Sequence, residues 1–409
     1  MREVAILQVI PRIDAGGSEQ AALEITEALS RAGALALVAT EGGRMAPTFT
    51  RAGGEIVLLP VASKNPLKIL TNARRLAEII EGRRVSLVHA RSRAPAWSAL
   101  LAARKTGRPF VTTYHGAYSS PGPFKNFYNS VMARGDRVIA NSRYTVDLIV
   151  SRHQVPQDRI RVIYRGVDLT KFVPGLIGPE RLDRLRNAWG LRATQPVVLQ
   201  AARLTRWKGQ AFVIKAAQQL HDGNRLGDAV FVLAGDEQGR DGYRQELEQL
   251  ILAADLEGRV KLVGHCNDMP AAFALARVAI IASTSAETFG RTSIEAQAMR
   301  CPVIVTALGA TPETIEPIDK NGSGTGWLIP PGDIDALVNK IRTALRLTPL
   351  ERSKIGVKAR ARITDLFQLA EMQVKTLIVY DELLGTGLAK QFLQNLPVIP
   401  QKDASQERL

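Results

Sequence analysis

Two carboxylates, Glu287 and Glu295, sit in the stretch "SAETFGRTSIEAQAMRCPVIV", separated by seven residues that include Gly290. Such a pair could hydrogen-bond the hydroxyls of a polyol. It could equally be ordinary charged trim, because Glu295 falls in the first turns of the helix expected from "TSIEAQAM", where a carboxylate favours the helix dipole without any ligand. Arg203 and Lys208 in "ARLTRWKGQ" lie five residues apart in a loop that opens a helix. Both could converge on one diphosphate, Arg through its fork and Lys as a point charge, or remain solvated surface charges.

Three further loops are chemically unusual. In "PRIDAGGSEQ", Gly16 and Gly17 would let backbone approach a ligand closely, and Ser18 could cap a helix whose N-terminal amides favour an anion. A tight turn would use the same residues. The loop matches neither GxGxxG nor GxxxxGK[ST], so NAD and ATP are not supported. In "TTYHGAYS", His115 ends a strand beside Gly116 and could donate hydrogen bonds or exchange protons near neutral pH, although a lone histidine is more often structural. Asn141 and Ser142 in "ANSRY" are neutral hydrogen bonders or helix caps. Asp333 and Asp335 in "GDID" have a spacing able to hold a divalent metal, but they precede the helical "DALVNKIRTAL" and read as capping residues; no metal is assigned.

These loops need strands to hold them. Continuous apolar runs at 4–10, 34–40, 55–60, 85–90, 109–115, 137–142 and 160–168 read as strands buried on both faces. Between them lie helical stretches such as "SEQAALEITEALSRAG", where Ala21, Ala22, Ile25, Ala28 and Leu29 share one face and Gly33 ends the run. The pattern restarts in "PVVLQAARL", "AVFVLAGD", "RVKLVGH", "VAIIAST", "CPVIVTAL" and "GWLIPPGD". The expectation is α/β, with two doubly wound domains at 1–175 and 190–365 and a linker at 169–190 marked by Pro174, Gly175, Gly178 and Pro179. Residues 366–396 read as helical and able to cross back onto the first domain; 397–409 read as a flexible tail.

The chain of 409 residues carries 54 Lys plus Arg against 39 Asp plus Glu, a formal charge of +15. Residues 71–110 hold nine basic residues against Glu78 and Glu81, a local excess of seven that could face an anionic partner or be a solvated surface. Only Trp97 and Phe110 interleave there, which disfavours nucleic acid. Cys266 and Cys301 form no metal-site spacing and fit a reducing compartment. The N-terminal apolar run reads as a buried strand, not a signal peptide, and no stretch approaches the roughly 18 apolar residues of a membrane span. The protein is expected in the cytoplasm or on a membrane face.

Taken in order, "GGSEQ", "YHG", "ANSRYT", "YRGVD", "ARLTRWKG", "LAGD" and "ETFGRTSIEAQA…PVIVT…G..PE" resemble the retaining glycosyltransferases of the GT-B fold in family 4 (glycosyl transferases group 1). The resemblance implies two Rossmann-like domains facing across a cleft. It also implies roles: Gly16, Gly17, Arg203 and Lys208 at the donor diphosphate, and Glu295 on the ribose. Glu287 would contact the donor sugar, with backbone at Thr288, Phe289 and Gly290 lining its pocket, and His115 would lie near the reaction centre. Fixed cations would stabilise the departing nucleoside diphosphate without a metal.

The expected substrates are a UDP- or GDP-sugar and a hydroxyl of a cell-surface glycan or glycolipid such as lipopolysaccharide core. No separate cofactor is expected. The basic window would lie in the acceptor-binding domain, which points to an anionic, lipid-linked acceptor at the cytoplasmic face of the inner membrane. Arg165 in "VIYRGVD" stands where many relatives carry Asn and adds a cation near the cleft, a weak acceptor-side candidate with Asn141. Arg300 and Cys301 depart where Gly is frequent, at a helix end. Alternative readings are a sugar-nucleotide epimerase on the same fold, or a binder of anionic polymer or membrane.

Overall fold

A computed structural model of the chain describes residues 4–14, 16–118, 122–237, 239 and 241–396; the tail expected at 397–409 lies outside them. The first domain is built on seven parallel strands: β1 (Ala5–Val9), β2 (Leu35–Thr40), β3 (Gly54–Leu58), β4 (Leu87–Ala90), β5 (Phe110–Tyr114), β6 (Arg137–Ala140) and β7 (Ile160–Val162). Their order is β3-β2-β1-β4-β5-β6-β7. The second has six: β8 (Val197–Ala201), β9 (Val230–Ala234), β10 (Val260–Gly264), β11 (Ala276–Ile281), β12 (Val303–Thr306) and β13 (Gly326–Ile329), in the order β10-β9-β8-β11-β12-β13. All pairings are parallel. This is the expected pair of Rossmann-like sheets.

Burial explains the continuous apolar runs. Every residue of β1, β4, β5, β9 and β12 is buried under helices on both faces, whereas the edge strands β3, β7 and β10 are partly open. The helix Gly17–Arg31 turns Ala21, Ala22, Ile25, Ala28 and Leu29 inward, as its spacing predicts. Each sheet reverses its strand order at one place, between β1 and β4 and between β8 and β11. Beyond the carboxyl ends of strands at such a switch point, loops diverge and leave a crevice.

Two parts of the expected organisation gain detail in the structure. Residues 169–190 are not a featureless linker: Pro179–Trp189 is a helix, held by the Arg181–Asp268 ion pair at 2.5 Å, and Trp189 is buried in the second domain's core. The Pro and Gly residues there mark its N-terminal entry, where Pro is compatible with a helix. Residues 366–396 form more than one helix. Leu369–Leu384 and Leu388–Gln394 are separate helices, broken at Gly385, which adopts φ +65°. Both cross back: Met372, Leu377, Tyr380 and Phe392 join Ile6, Ile25 and Leu29 in one core cluster, and Gln373 Nε2 donates to the Glu24 carbonyl at 2.8 Å.

Candidate functional site

The loops after β1, β5, β8 and β11 converge on one cleft of about 880 Å³ between the domains. Its lining includes Gly16, Gly17, His115, Asn141, Arg165, Arg203, Lys208, Thr288, Phe289, Gly290, Glu287 and Glu295, so these candidates reach the same space. Asp333 and Asp335 do not. Asp333 caps the helix Ile334–Arg346 by accepting from Ala336 N, and Asp335 accepts from Gln219 Nε2 at 2.7 Å.

On the second-domain side, Lys208 Nζ donates to Glu287 Oε2 at 2.7 Å, and Ser283 Oγ donates to the other carboxylate oxygen. Gly309 (φ +66°) packs against the Glu287 backbone, where Ala310 N donates to the Glu287 carbonyl at 2.8 Å. Gly290 enters the helix Arg291–Ala298 with φ +98°, a conformation glycine adopts without strain. The Phe289 ring turns away from the cleft into a cluster with Val167, Ile294 and Phe367, so its backbone alone faces the ligand space.

Glu295 is not where the sequence reading put it. The helix has only eight residues and Glu295 lies in its last turn, so the dipole does not favour it. Its partner is Arg291 Nε at 2.8 Å, and Arg291 also donates both terminal nitrogens to Glu24 of the first domain. Burial would lower the Arg291 pKa, but Glu24 and Glu295 together raise it; burial raises that of Glu295 against the opposing pull of Arg291. Neither Glu24 nor Arg291 was singled out from sequence. Each is one charge on an otherwise ordinary helical face, and only the docking of two domains brings them together.

On the first-domain side, Gly16 (φ +149°) precedes the helix Gly17–Arg31, and an added Cβ would meet the Glu19 carboxylate at 2.7 Å. Ser18 is inside the helix, bonded to Glu19 Oε2, and does not cap it. Asn141 and Ser142 divide the two roles open to them. Ser142 caps the helix Arg143–His153 by accepting from Thr145 N, while Asn141 Nδ2 donates to Thr288 Oγ1 at 3.3 Å across the cleft. Glu313 of the second domain meets the same helix start, accepting from Arg143 N at 2.9 Å and Tyr144 N at 2.8 Å. The "PE" of the resemblance thus has a role in closing the domains.

Of the roles open to His115, proton exchange near neutral pH does not fit its surroundings. Burial first, and then the Arg165 and Arg91 guanidiniums, push its pKa well below the usual imidazole value. Its Nδ1 accepts from Arg165 Nη2, its Nε2 is buried without a partner among the described residues, and its carbonyl accepts from Thr288 Oγ1 at 2.7 Å. It is a neutral group joining the domains at the loop after β11.

The basic window is likewise not one surface. Arg91 is buried and donates from Nε to Gln8 Oε1 at 2.9 Å, Arg104 pairs with Asp136 and Arg83 with Glu55, and Arg93 covers the Tyr118 ring at 3.9 Å. Among the described residues no helix is long and apolar enough to cross a membrane.

Residues 15–171 match the sequence model of Glycosyltransferase Family 4, and residues 183–362 match that of Glycosyl transferases group 1. A glycosyltransferase from Rickettsia africae ESF-5 is 32% identical and superposes with a TM-score of 0.85, over 95% of this chain and 100% of that one. Anabaena HepE in complex with UDP-glucose shares the fold at 24% identity and TM-score 0.80, covering 93% of this chain and 100% of HepE. The D-inositol 3-phosphate glycosyltransferase of Mycobacterium bovis (strain BCG / Pasteur 1173P2) is 29% identical over 260 residues, 62% of this chain and 50% of that protein. The chain spans about half the length of the curated relatives it matches.

Proposed function

Because the chain belongs to the group 1 glycosyltransferases of family 4, we propose that it transfers a hexose-type sugar from a UDP- or GDP-sugar to an acceptor hydroxyl, with retention and without a metal. The observation that carries this reading is the Lys208–Glu287 pair at the β8/β11 switch point, facing Gly16 and Gly17 across the cleft. Breaking a sugar–phosphate bond builds negative charge on the departing diphosphate. In this reading Lys208, Arg203 and the amides at Gly16, Gly17 and Gly290, which line the cleft, receive it, a stabilisation that needs no reorganisation during reaction. Glu287 then serves the sugar hydroxyls and Glu295 the ribose. The UDP-glucose bound by HepE supports a nucleotide-sugar donor.

The acceptor is a cell-surface glycan or glycolipid, engaged in the cytoplasm at the inner-membrane face. Support comes from helices Pro66–Gly82 and Pro123–Ser130, which expose Leu67, Leu70, Phe124 and Phe127 beside Lys68, Arg74 and Arg75. The test is a thermal-shift panel of UDP, GDP, ADP and their sugars, because a ligand of the native state raises apparent stability. A shift with UDP or GDP and its sugars, with release of nucleoside diphosphate in the presence of acceptor glycan, is expected. Sugar isomerisation without acceptor would establish the epimerase instead.

A further inference from the structure

Several cations of the cleft are held by carboxylates. Lys208 is matched by Glu287, and Arg291 by Glu24 and Glu295. Arg44 reaches Asp236 at 3.6 Å. Arg165 lines the same cleft, is 7% exposed, and forms an ion pair with no carboxylate among the described residues. Among the described residues its side chain donates from Nη2 to a neutral acceptor, His115 Nδ1. Nearby Arg91, 2% exposed, donates its side-chain hydrogen bonds to the neutral amide of Gln8, and the carboxylate felt by both guanidiniums is Glu24, which Arg291 already holds. Burial and the neighbouring Arg91 lower the Arg165 pKa to about 9. A desolvated guanidinium with spare N–H donors on a ligand-facing wall is complementary to a carboxylate, which it holds through two parallel hydrogen bonds.

The place of Arg165 identifies the substrate that would bring this anion. It is attached to His115, whose carbonyl is bonded to Thr288, next to the Glu287 assigned to the donor sugar. The diphosphate is served elsewhere, by Lys208, Arg203 and the helix starts. An acceptor entering from solvent would first meet more exposed side chains, whereas Arg165 is buried in the wall at 7% exposure. We propose that Arg165 recognises a carboxylate on the donor sugar, so that the cleft takes a nucleotide-linked uronic acid in preference to a neutral hexose. This rests on the nucleotide-sugar reading above.

The test is calorimetric affinity of the full chain for UDP, UDP-glucose and UDP-glucuronate, and for GDP, GDP-mannose and GDP-mannuronate, in the parent and in Arg165→Gln and Arg165→Lys. The uronate of one nucleotide series should bind the parent about tenfold or more tightly than its neutral counterpart, the range of a hydrogen bond to a charged group. Arg165→Gln should erase that difference while leaving affinity for the free nucleotide unchanged, which also reports an intact fold. Arg165→Lys should restore part of it. Equal affinity of the parent for uronate and neutral sugar overturns the inference and assigns Arg165 to the acceptor. A uniform loss for nucleotide and both sugars in Arg165→Gln overturns it in favour of a field acting on the diphosphate. Binding of neither UDP nor GDP overturns the nucleotide-sugar reading and this inference with it.

Discussion

Lys208 Nζ lies 2.7 Å from Glu287 Oε2, joining two loops 79 residues apart, with side chains 17% and 10% exposed. The pair holds both groups in place and is opened by a ligand that offers phosphate to one and hydroxyls to the other. Lys208→Ala removes the cation facing the diphosphate and leaves Glu287 uncompensated. Turnover should fall by about 100-fold or more, the usual cost of deleting a preorganised donor to developing charge. Glu287→Gln keeps the shape and loses the charge, and should lower turnover while retaining cooperative unfolding. Steady-state rates and urea unfolding measure the two effects separately; an unchanged rate in both variants would refute the assignment.

Arg291 bridges the domains through Glu24 and Glu295, all three largely buried. Removing one member of such a network strands the others as buried charges. Arg291→Ala should therefore cost about 3–5 kcal/mol in chemical denaturation. Neutralising all three, as Glu24→Gln, Arg291→Met and Glu295→Gln together, should recover most of that loss, because no charge is then left unpaired. If the triple variant is as unstable as Arg291→Ala, packing and not charge sets the cost.

These two relationships also show what the sequence can and cannot carry. Continuous apolar runs pointed to the thirteen strands of the described residues, most directly the inner ones, whose burial on both faces leaves the run uninterrupted. The loops that follow β1, β5, β8 and β11 were legible because glycines and hydroxyls cluster there against the apolar background. Arg291 was not, because its partner Glu24 lies 267 residues away and neither residue is unusual in its own helix. Glu295 was misplaced relative to the helix dipole because helix length is set by packing, and this helix stops after two turns. The nine basic residues at 71–110 looked like one patch because a count is blind to which face each residue takes.

Gly309 gives a test of backbone positioning. It has φ +66°, and a Cβ there would lie 2.3 Å from the Glu287 carbonyl oxygen. Gly385 has nearly the same φ, +65°, with nothing within 4 Å of a Cβ. Alanine at either should cost about 1–2 kcal/mol for the left-handed backbone. Gly309→Ala should in addition displace Glu287 and lower kcat by about tenfold to 100-fold, as small misplacements of a positioned group do. Gly385→Ala should leave kcat unchanged; equal kcat in both would show that the Gly309 contact does not position the site.

His89 and His115 make stability depend on pH. His89 is buried between Tyr380 OH at 2.7 Å and Thr113 Oγ1 at 2.8 Å. Burial and the nearby Arg91 push its pKa well below the usual value, and burial with Arg165 does the same for His115. The unfolded chain takes up a proton at each as pH falls through about 6.5, while the folded chain stays neutral to much lower pH. The unfolded state then binds more protons, so the stability is fully present above that pH and is lost below it, by about 1.4 kcal/mol per histidine per pH unit. The melting temperature should therefore drop between pH 7 and 5. His89→Gln, whose amide can still face Tyr380 or Thr113, should make the drop shallower; an unchanged slope in that variant would place the titration elsewhere.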